Sequence, residues 1–117
     1  YCRLAAAVLA VPVAPTHPLL GDAAFRTATG VHAAALQKAA KKAAWLSDRV
    51  YGGVPSSVVG RSQEVCVGPL SGRANVEAWL RAHAVPVTEA LVSRILTRAR
   101  AADHVLGDAE LFAMVDV

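Results

Sequence analysis

The sequence predicts a mainly α-helical protein made of small helical subdomains, with at most one short pair of strands. Through most of the chain, apolar residues recur every three or four positions, the spacing of one face of a helix. Of the 117 residues, 55% are hydrophobic and only 5% are aromatic. Five of the eight glycines fall in residues 51–73, the one long interval without helical spacing, where a short strand is predicted at 64–67. Alanine supplies much of the apolar content and gains little free energy on burial, so these helices are expected to need a neighbour.

The first ten residues predict a helix that ends before two prolines. Its apolar stripe consists of Leu4, Val8 and Leu9. Pro12 and Pro15 end the helix because proline cannot donate a backbone hydrogen bond. The apolar segment is too short to span a bilayer. Because the chain begins at Tyr1 within the helical pattern, we expect residues 1–10 to be the end of a helix in a longer polypeptide.

Residues 11–29 predict a proline-rich linker followed by a loop. Three prolines within residues 11–22 favour polyproline-like geometry. The strip is too short and too apolar to be a free tether, so we expect it to pack over a surface. Phe25 is the predicted anchor of the loop in a core.

Residues 30–60 predict a helical linker subdomain. One helix is expected over residues 31–41, and another over residues 43–50 carries Trp45, Leu46 and Val50. The predicted apolar face of the first helix consists of Val31, Ala34, Ala35 and Ala39. The pattern leaves open whether Lys41-Lys42 separates the two helices.

Residues 61–117 predict a second helical subdomain with three helices. The first covers residues 74–83. Thr88 is the expected N-cap of the next helix, which runs to about Ala102, with Val87 and Val92 at the hydrophobic-staple positions. Its predicted buried residues are Val92, Ile95, Leu96 and Ala99. A last short helix is expected from Gly107-Asp108 through Ala113, with Leu111, Phe112 and Val115 as apolar contacts.

Charge and cysteine content restrict the classes of partner. The formal net charge is +3 and is dispersed, with no basic block, so a nucleic-acid binder has little support. We expect no nucleic acid and no membrane among the partners. Cys2 and Cys66 both have apolar neighbours, which favours buried free thiols in a reducing, cytoplasmic compartment over a disulfide.

Two arginines in the irregular segment each follow a glycine. Arg61 and Arg73 have the side chain best suited to bind a carboxylate or phosphate through two nitrogens. The alternative is a salt bridge at a helix end or between segments. We favour the alternative and predict that both arginines are structural anchors.

Two side chains are candidates for chemistry. His32 lies in the predicted first turn of a helix, where the positive end of the helix dipole favours a neutral imidazole that can act as a base or donor. Tyr51 can donate or accept one hydrogen bond through its hydroxyl group. Taken alone, both positions also fit residues that only cap or pack. The remaining histidines lack partner spacing and are expected to serve structure or solvent: His17, His83 and His104.

The order of several short motifs resembles the region that follows the barrel in 2-isopropylmalate synthases, within the isopropylmalate, homocitrate and citramalate synthase family. The matching positions are Phe25, Gly30-Val31-His32, Tyr51, Val54-Pro55, Val59-Gly60-Arg61 and Ser71-Gly72. The resemblance runs in order from about Cys2 to Phe112, which is nearly the whole chain. It would make residues 1–10 the end of a helix flanking a (β/α)8 barrel that is absent here.

The resemblance implies a function for the missing barrel and a role for this chain. Family barrels bind a divalent metal, acetyl-CoA and a 2-keto acid, and they catalyse a Claisen condensation followed by thioester hydrolysis. The region after the barrel forms a homodimer and covers the partner's active site. By motif, His32 and Tyr51 would be its catalytic contributions in trans, within an acyltransferase of leucine biosynthesis. The fragment alone is expected to be inactive and to hold no metal or cofactor.

The sequence also departs from the family pattern. Many relatives have a polar and then an acidic residue after the histidine, where this chain has Ala33-Ala34, and a histidine in the element that corresponds to residues 68–73. The resemblance ends before a leucine-sensing regulatory domain, so the keto acid and leucine feedback stay open. The alternative function is a helical dimerisation module without a direct catalytic role.

Overall fold

The computed structural model describes residues 1–116 and confirms a mainly helical fold with one short strand pair. Val117, the last residue of the predicted second subdomain, lies outside the described residues. The elements in chain order are α1 (Cys2–Leu9), β1 (Arg26–Thr27), α2 (Gly30–Lys42), α3 (Ala44–Ser47), a 3-10 helix (Ser56–Val59), β2 (Glu64–Val65), α4 (Arg73–Ala82), α5 (Glu89–Arg100) and α6 (Asp108–Val115). No barrel occurs within residues 1–116.

The main hydrophobic core lies in the second half of the chain, between α4, α5 and α6. Its buried members are Val67, Val76, Trp79, Leu80, Leu91, Val92, Ile95, Ala99, Leu106 and Leu111. The predicted cap of α5 is confirmed, since the Thr88 hydroxyl accepts a hydrogen bond from the Leu91 N–H at 3.3 Å. Large apolar residues at helical spacing therefore place this core where the sequence predicts it.

The strand predicted at 64–67 is confirmed as β2, and its partner β1 was not predicted. The two strands are parallel, with Arg26 opposite Glu64 and Thr27 opposite Val65. The Cys66 N–H donates to the Thr27 carbonyl at 2.8 Å. Two residues are too few to show an alternating pattern, so β1 has no sequence signal of its own.

The predicted apolar face of α2 is wrong at Val31 and Ala34, which are exposed, and is confirmed at Ala39, which is buried. Its buried residues are Ala33, Leu36 and Ala39, whereas Val31 is 77% exposed. Alanines occupy both faces of this helix, so the sequence gives little hydrophobic contrast from which to choose between them. The buried face packs against α3 and α4. The question of Lys41-Lys42 is also settled, because Ala43 is extended and separates α2 from α3, which is shorter than predicted.

The N-terminal predictions hold only in part. The α1 helix is present, but none of its residues is buried, and its stripe of Leu4, Val8 and Leu9 is exposed. Cys66 is partly buried and Cys2 is exposed, so the free thiols are confirmed while burial of Cys2 is wrong. The linker is exposed over most of residues 11–16, and packing begins near His17. Phe25 is buried, as predicted.

A close backbone contact joins the first turn of α2 to the start of α4. The Gly30 N–H donates to the Leu70 carbonyl at 3.0 Å, and the Ser71 hydroxyl donates to the Ala28 carbonyl at 2.7 Å. A Cβ on Gly30 would lie 2.9 Å from the Gly72 nitrogen. Position 30 requires glycine because the backbone of Gly72 lies too close to leave room for a Cβ. We call this contact between Gly30 and Gly72 the glycine seam.

Arg61 and Arg73 are structural anchors, as predicted. The Arg61 guanidinium donates to the Gly21 carbonyl at 2.9 Å and lies 5.3 Å from the centre of the Phe25 ring. Arg73 forms ion pairs with Glu77 and Glu89, which tie α4 to the start of α5 and raise the pKa of the arginine. The predicted boundary between subdomains near residue 60 stays a prediction.

Candidate functional site

The first turn of α2 presents His32 to solvent. Thr29 is the extended N-cap residue, with φ −90° and ψ 141°, and His32 is the third residue of the helix. The Thr29 hydroxyl makes no capping bond, and its oxygen is buried without a hydrogen-bond partner in the described residues. The His32 side chain is exposed, as a group must be if it is to act on a molecule outside its own core.

Tyr51 has an unusual backbone conformation. Its φ is 62°, in the left-handed region, where a side chain with a Cβ costs roughly 1–2 kcal/mol. The side chain is 65% exposed, so burial of the ring does not compensate for this cost. Such a conformation in a bulky residue requires the surrounding structure to fix it.

The structure brings the two sequence-predicted candidates together. The ring centroids of His32 and Tyr51 are 4.2 Å apart, and the ring planes are tilted by 37°. Nineteen positions separate the residues in sequence, so pattern alone did not predict this contact. The catalytic role of the two residues stays a prediction.

The ring pair lines a cleft of about 510 Å³ between the linker, the start of α2 and the loop that carries Tyr51. The lining residues are Pro18, Leu19, Ala24, Phe25, Arg26, Thr27, His32, Val50, Tyr51, Gly52, Gly53, Val54 and Gln63. Arg26 is the one arginine or lysine of this set, and its Nε donates to Glu64 at 2.8 Å. The cleft therefore combines an apolar floor with the imidazole and phenol groups at one side.

Asp48 fastens the base of the Tyr51 loop, a feature that the sequence analysis missed. Its Oδ1 accepts from the Ser56 N–H at 2.8 Å and from the Ser56 hydroxyl, and its Oδ2 accepts from the N–H and the hydroxyl of Ser57. These donors lower the pKa of Asp48 from 3.8 to about 2, with the two serine hydroxyls as the main cause. We call this group of three residues the Asp48 staple. The two serines begin the 3-10 helix, eight and nine positions after Asp48, and no local pattern in the sequence indicated this pairing.

The other histidines make structural contacts, as predicted. The His17 Nδ1 accepts from the Leu20 N–H at 3.2 Å, and His83 stacks on Trp79 with centroids 4.2 Å apart. His104 lies between Asp103 and Glu110, and hydrogen bonds to these carboxylates raise its pKa. None of the three lines the cleft beside Tyr51.

Neither a metal cluster nor a membrane-spanning helix is found in residues 1–116. No three His, Cys, Asp or Glu side chains lie close enough together there to hold a metal ion. Within the same range, no helix has both the length and the apolar character that crossing a bilayer demands. The residues present therefore do not fit the divalent metal that the resemblance assigns to the barrel.

The His32 and Tyr51 side chains are suited to proton transfer and hydrogen bonding. An imidazole and a phenol each donate and accept, and both can act on a substrate atom within hydrogen-bond reach. The described lining of the cleft includes no serine or cysteine, and its one aliphatic hydroxyl is that of Thr27. The pair can assist a reaction whose other groups come from elsewhere.

Comparison with known proteins gives a restricted result. No protein-family model matches the chain. A protein of Archaeoglobus fulgidus named "Putative (R)-citramalate synthase CimA" is 34% identical to it over 88 residues. The match covers 75% of this chain and 16% of that protein. The similarity supports the homocitrate, citramalate and isopropylmalate synthases as a group, and it does not single out the 2-isopropylmalate synthases.

Proposed function

We propose that this chain is the dimerisation and lid region of an enzyme that condenses acetyl-CoA with a 2-keto acid, and that it contributes His32 and Tyr51 to the active site of the partner protomer. The observation that carries the proposal is the contact between the His32 and Tyr51 rings, 4.2 Å apart at the side of an open cleft. The similarity to a protein named as a citramalate synthase agrees with this reaction class.

Exposure of the pair supports a contribution in trans. Both residues are exposed, and among the described residues the lining of the cleft includes neither a carboxylate nor a cluster of metal ligands. In the proposed enzyme the barrel of the partner protomer supplies the metal, the keto acid and acetyl-CoA. Closing this region over the barrel completes the site and excludes water, a common use of a lid.

Each side chain has a distinct proposed role. His32 assists proton movement, either at the acetyl methyl group that becomes the nucleophile or at the water that hydrolyses the thioester. Tyr51 hydrogen-bonds near the same centre. A positioned general acid or base contributes typically 10²–10⁴-fold to a rate, so loss of His32 should reduce kcat by about that factor.

The test uses the enzyme that contains this chain and its barrel. We expect His32→Ala to lower kcat much more than it raises KM for the keto acid. His104→Ala is the matched control, because His104 is exposed and does not line the cleft, and it should keep the wild-type kcat. A wild-type kcat for His32→Ala would refute the assignment.

Subunit mixing tests whether the pair acts in trans. A protomer with His32→Ala keeps a normal barrel, and a protomer with an inactivated barrel keeps a normal His32. Random exchange between the two in a two-fold dimer should restore about a quarter of the wild-type activity. No recovery in a mixture that has demonstrably exchanged subunits would show that His32 does not act on the partner.

The second candidate, a dimerisation module without a catalytic role, is favoured by the exposed apolar surface. Leu4 is 69% exposed, Val8 74% and Leu70 76%, which leaves apolar area for a partner to cover. Sedimentation of His32→Ala and Tyr51→Phe separates the candidates. Loss of the dimer, with normal turnover once the dimer is restored by concentration, would favour the module.

The substrate is the finer part of the proposal. We propose a place in leucine biosynthesis, which the resemblance of the motif order to the 2-isopropylmalate synthases supports. The name of the similar protein indicates citramalate instead. Turnover of acetyl-CoA with 2-oxoisovalerate, pyruvate and 2-oxoglutarate in parallel distinguishes the three products, and preference for pyruvate would overturn the leucine assignment.

A further inference from the structure

We propose that Asp48 is a positioning residue, which fixes the loop between residues 49 and 55 so that the Tyr51 ring stays against His32. The inference rests on the proposed function of that ring pair. It concerns a residue outside the cleft, because Asp48 does not line the cavity beside Tyr51. Asp48 acts through the backbone that it fastens.

The loop has few other constraints. None of the backbone N–H groups of residues 51–54 donates a hydrogen bond within the described part of the chain. On its N-terminal side, the last bond is from the Val50 N–H to the Leu46 carbonyl at 3.2 Å. On its C-terminal side, the first is from the Ser56 N–H to Asp48 at 2.8 Å. The Asp48 staple therefore closes the loop at its base.

The staple also explains the backbone of Tyr51. Joining Asp48 to Ser56 returns the chain on itself within eight positions, and the left-handed φ of 62° at Tyr51 lies inside this closed segment. A conformation of this kind persists where the surroundings fix it. If the staple opens, Tyr51 is free to return to the right-handed or extended region, and its ring then moves away from His32.

Charge makes Asp48 suited to this role. A carboxylate accepts through both oxygens, and here it accepts from two N–H groups and two hydroxyls. An asparagine has the same shape but keeps only one acceptor oxygen. Its NH₂ group would face the N–H and hydroxyl donors of a serine and could not accept from them. Asp48→Asn should therefore remove about half of the staple while keeping the volume of the side chain.

The first measurement is the nuclear Overhauser effect between the ring protons of His32 and Tyr51 in this chain. The wild type should show the effect, since the ring centroids are 4.2 Å apart. Asp48→Asn should weaken or abolish it while the signals of α4 and α5 stay unchanged. Asp103→Asn is the matched control, because Asp103 also accepts a hydrogen bond at the surface, and it should leave the effect intact. An unchanged effect in folded Asp48→Asn would overturn the proposal.

A milder variant serves if Asp48→Asn does not fold. Ser57 is exposed, and Ser57→Ala removes one hydroxyl donor while leaving the backbone bond. It should weaken the effect between the rings partially. An unchanged effect between the rings in Ser57→Ala would contradict the proposed role of the Asp48 staple.

The second measurement is turnover by the complete enzyme. A misplacement of about 1 Å can cost up to 10²-fold in rate, so Asp48→Asn should lower kcat by roughly tenfold with a smaller change in KM. An unchanged kcat in Asp48→Asn, with a reduced kcat in His32→Ala, would refute positioning and leave the proposed function standing. An unchanged kcat in His32→Ala would refute the proposed function, whatever the ring contact shows.

Discussion

Replacing Gly30 by alanine tests how the helix that carries His32 is seated. The added Cβ would lie 2.9 Å from the Gly72 nitrogen and 3.2 Å from its Cα. Carbon atoms prefer a separation of about 3.5–4.0 Å, so the start of α2 must move away from α4 by roughly half an ångström. Both contacts are to backbone, which cannot rotate aside as a side chain can.

The expected cost follows from two opposing effects. Overpacking of this kind costs about 1–3 kcal/mol. Restricting the unfolded chain by a Gly→Ala change gains about 0.4–1 kcal/mol, because Gly30 does not have a positive φ. The net loss for Gly30→Ala should be about 1–2 kcal/mol, which lowers Tm by roughly 4–8 °C in a chain of this size.

The assay is thermal unfolding followed by circular dichroism, with Gly53→Ala as the matched control. A Cβ on Gly53 meets nothing within 4 Å, so that variant should be as stable as the wild type or slightly more stable. Equal Tm values for the two variants would refute the argument that close approach at the glycine seam requires Gly30.

Two further predictions concern the core and the Asp48 staple. Leu80 is fully buried, so Leu80→Ala should lower the free energy of unfolding by about 2–5 kcal/mol. Leu70 is 76% exposed, so Leu70→Ala should change that free energy by less than about 0.5 kcal/mol. Urea denaturation measures both variants, and equal losses would contradict the assigned core. The folded-state pKa of Asp48, about 2, lies below its ordinary 3.8, so the stability that its ionised form contributes is present above pH 3.8 and is lost as pH falls through about 2. The difference in unfolding midpoint between wild type and Asp48→Asn should therefore shrink between those pH values, and a constant difference would be inconsistent with the staple.

The helices of the second half were predictable because their residues differ strongly from face to face. Val76, Trp79 and Leu80 alternate with charged residues in α4, and Thr88 supplies a local N-cap for α5. In α2 the same reasoning chose Val31 and Ala34, which are exposed, although Ala39 is buried as predicted. Alanine is compatible with either side of a helix, and the buried side is the one that packs against α3 and α4, the latter far away in sequence.

Parts of the candidate site were beyond any local pattern. The residue types and the position of His32 in a first helical turn were read from the sequence, and the structure agrees. The left-handed backbone of Tyr51 was not predicted from the sequence, since tyrosine has no preference for that region. It depends on Asp48 meeting Ser56, an arrangement that becomes visible only once the loop has closed.

Core and candidate site occupy different parts of the chain, and this separation bears on how variants should be interpreted. The main core draws its residues from positions 67–111, whereas the cleft is lined by positions 18–63. The two parts are joined by the short β1–β2 pairing and by the glycine seam. A core variant such as Leu80→Ala therefore reaches His32 through those contacts and through the packing of α2 against α4. Displacement of Gly30 acts on both parts at once, because it lies two positions before His32 and against Gly72. If a core variant loses turnover but keeps the His32–Tyr51 contact, we attribute the loss to assembly of the protomers. If the contact is broken as well, we attribute the loss to the site itself.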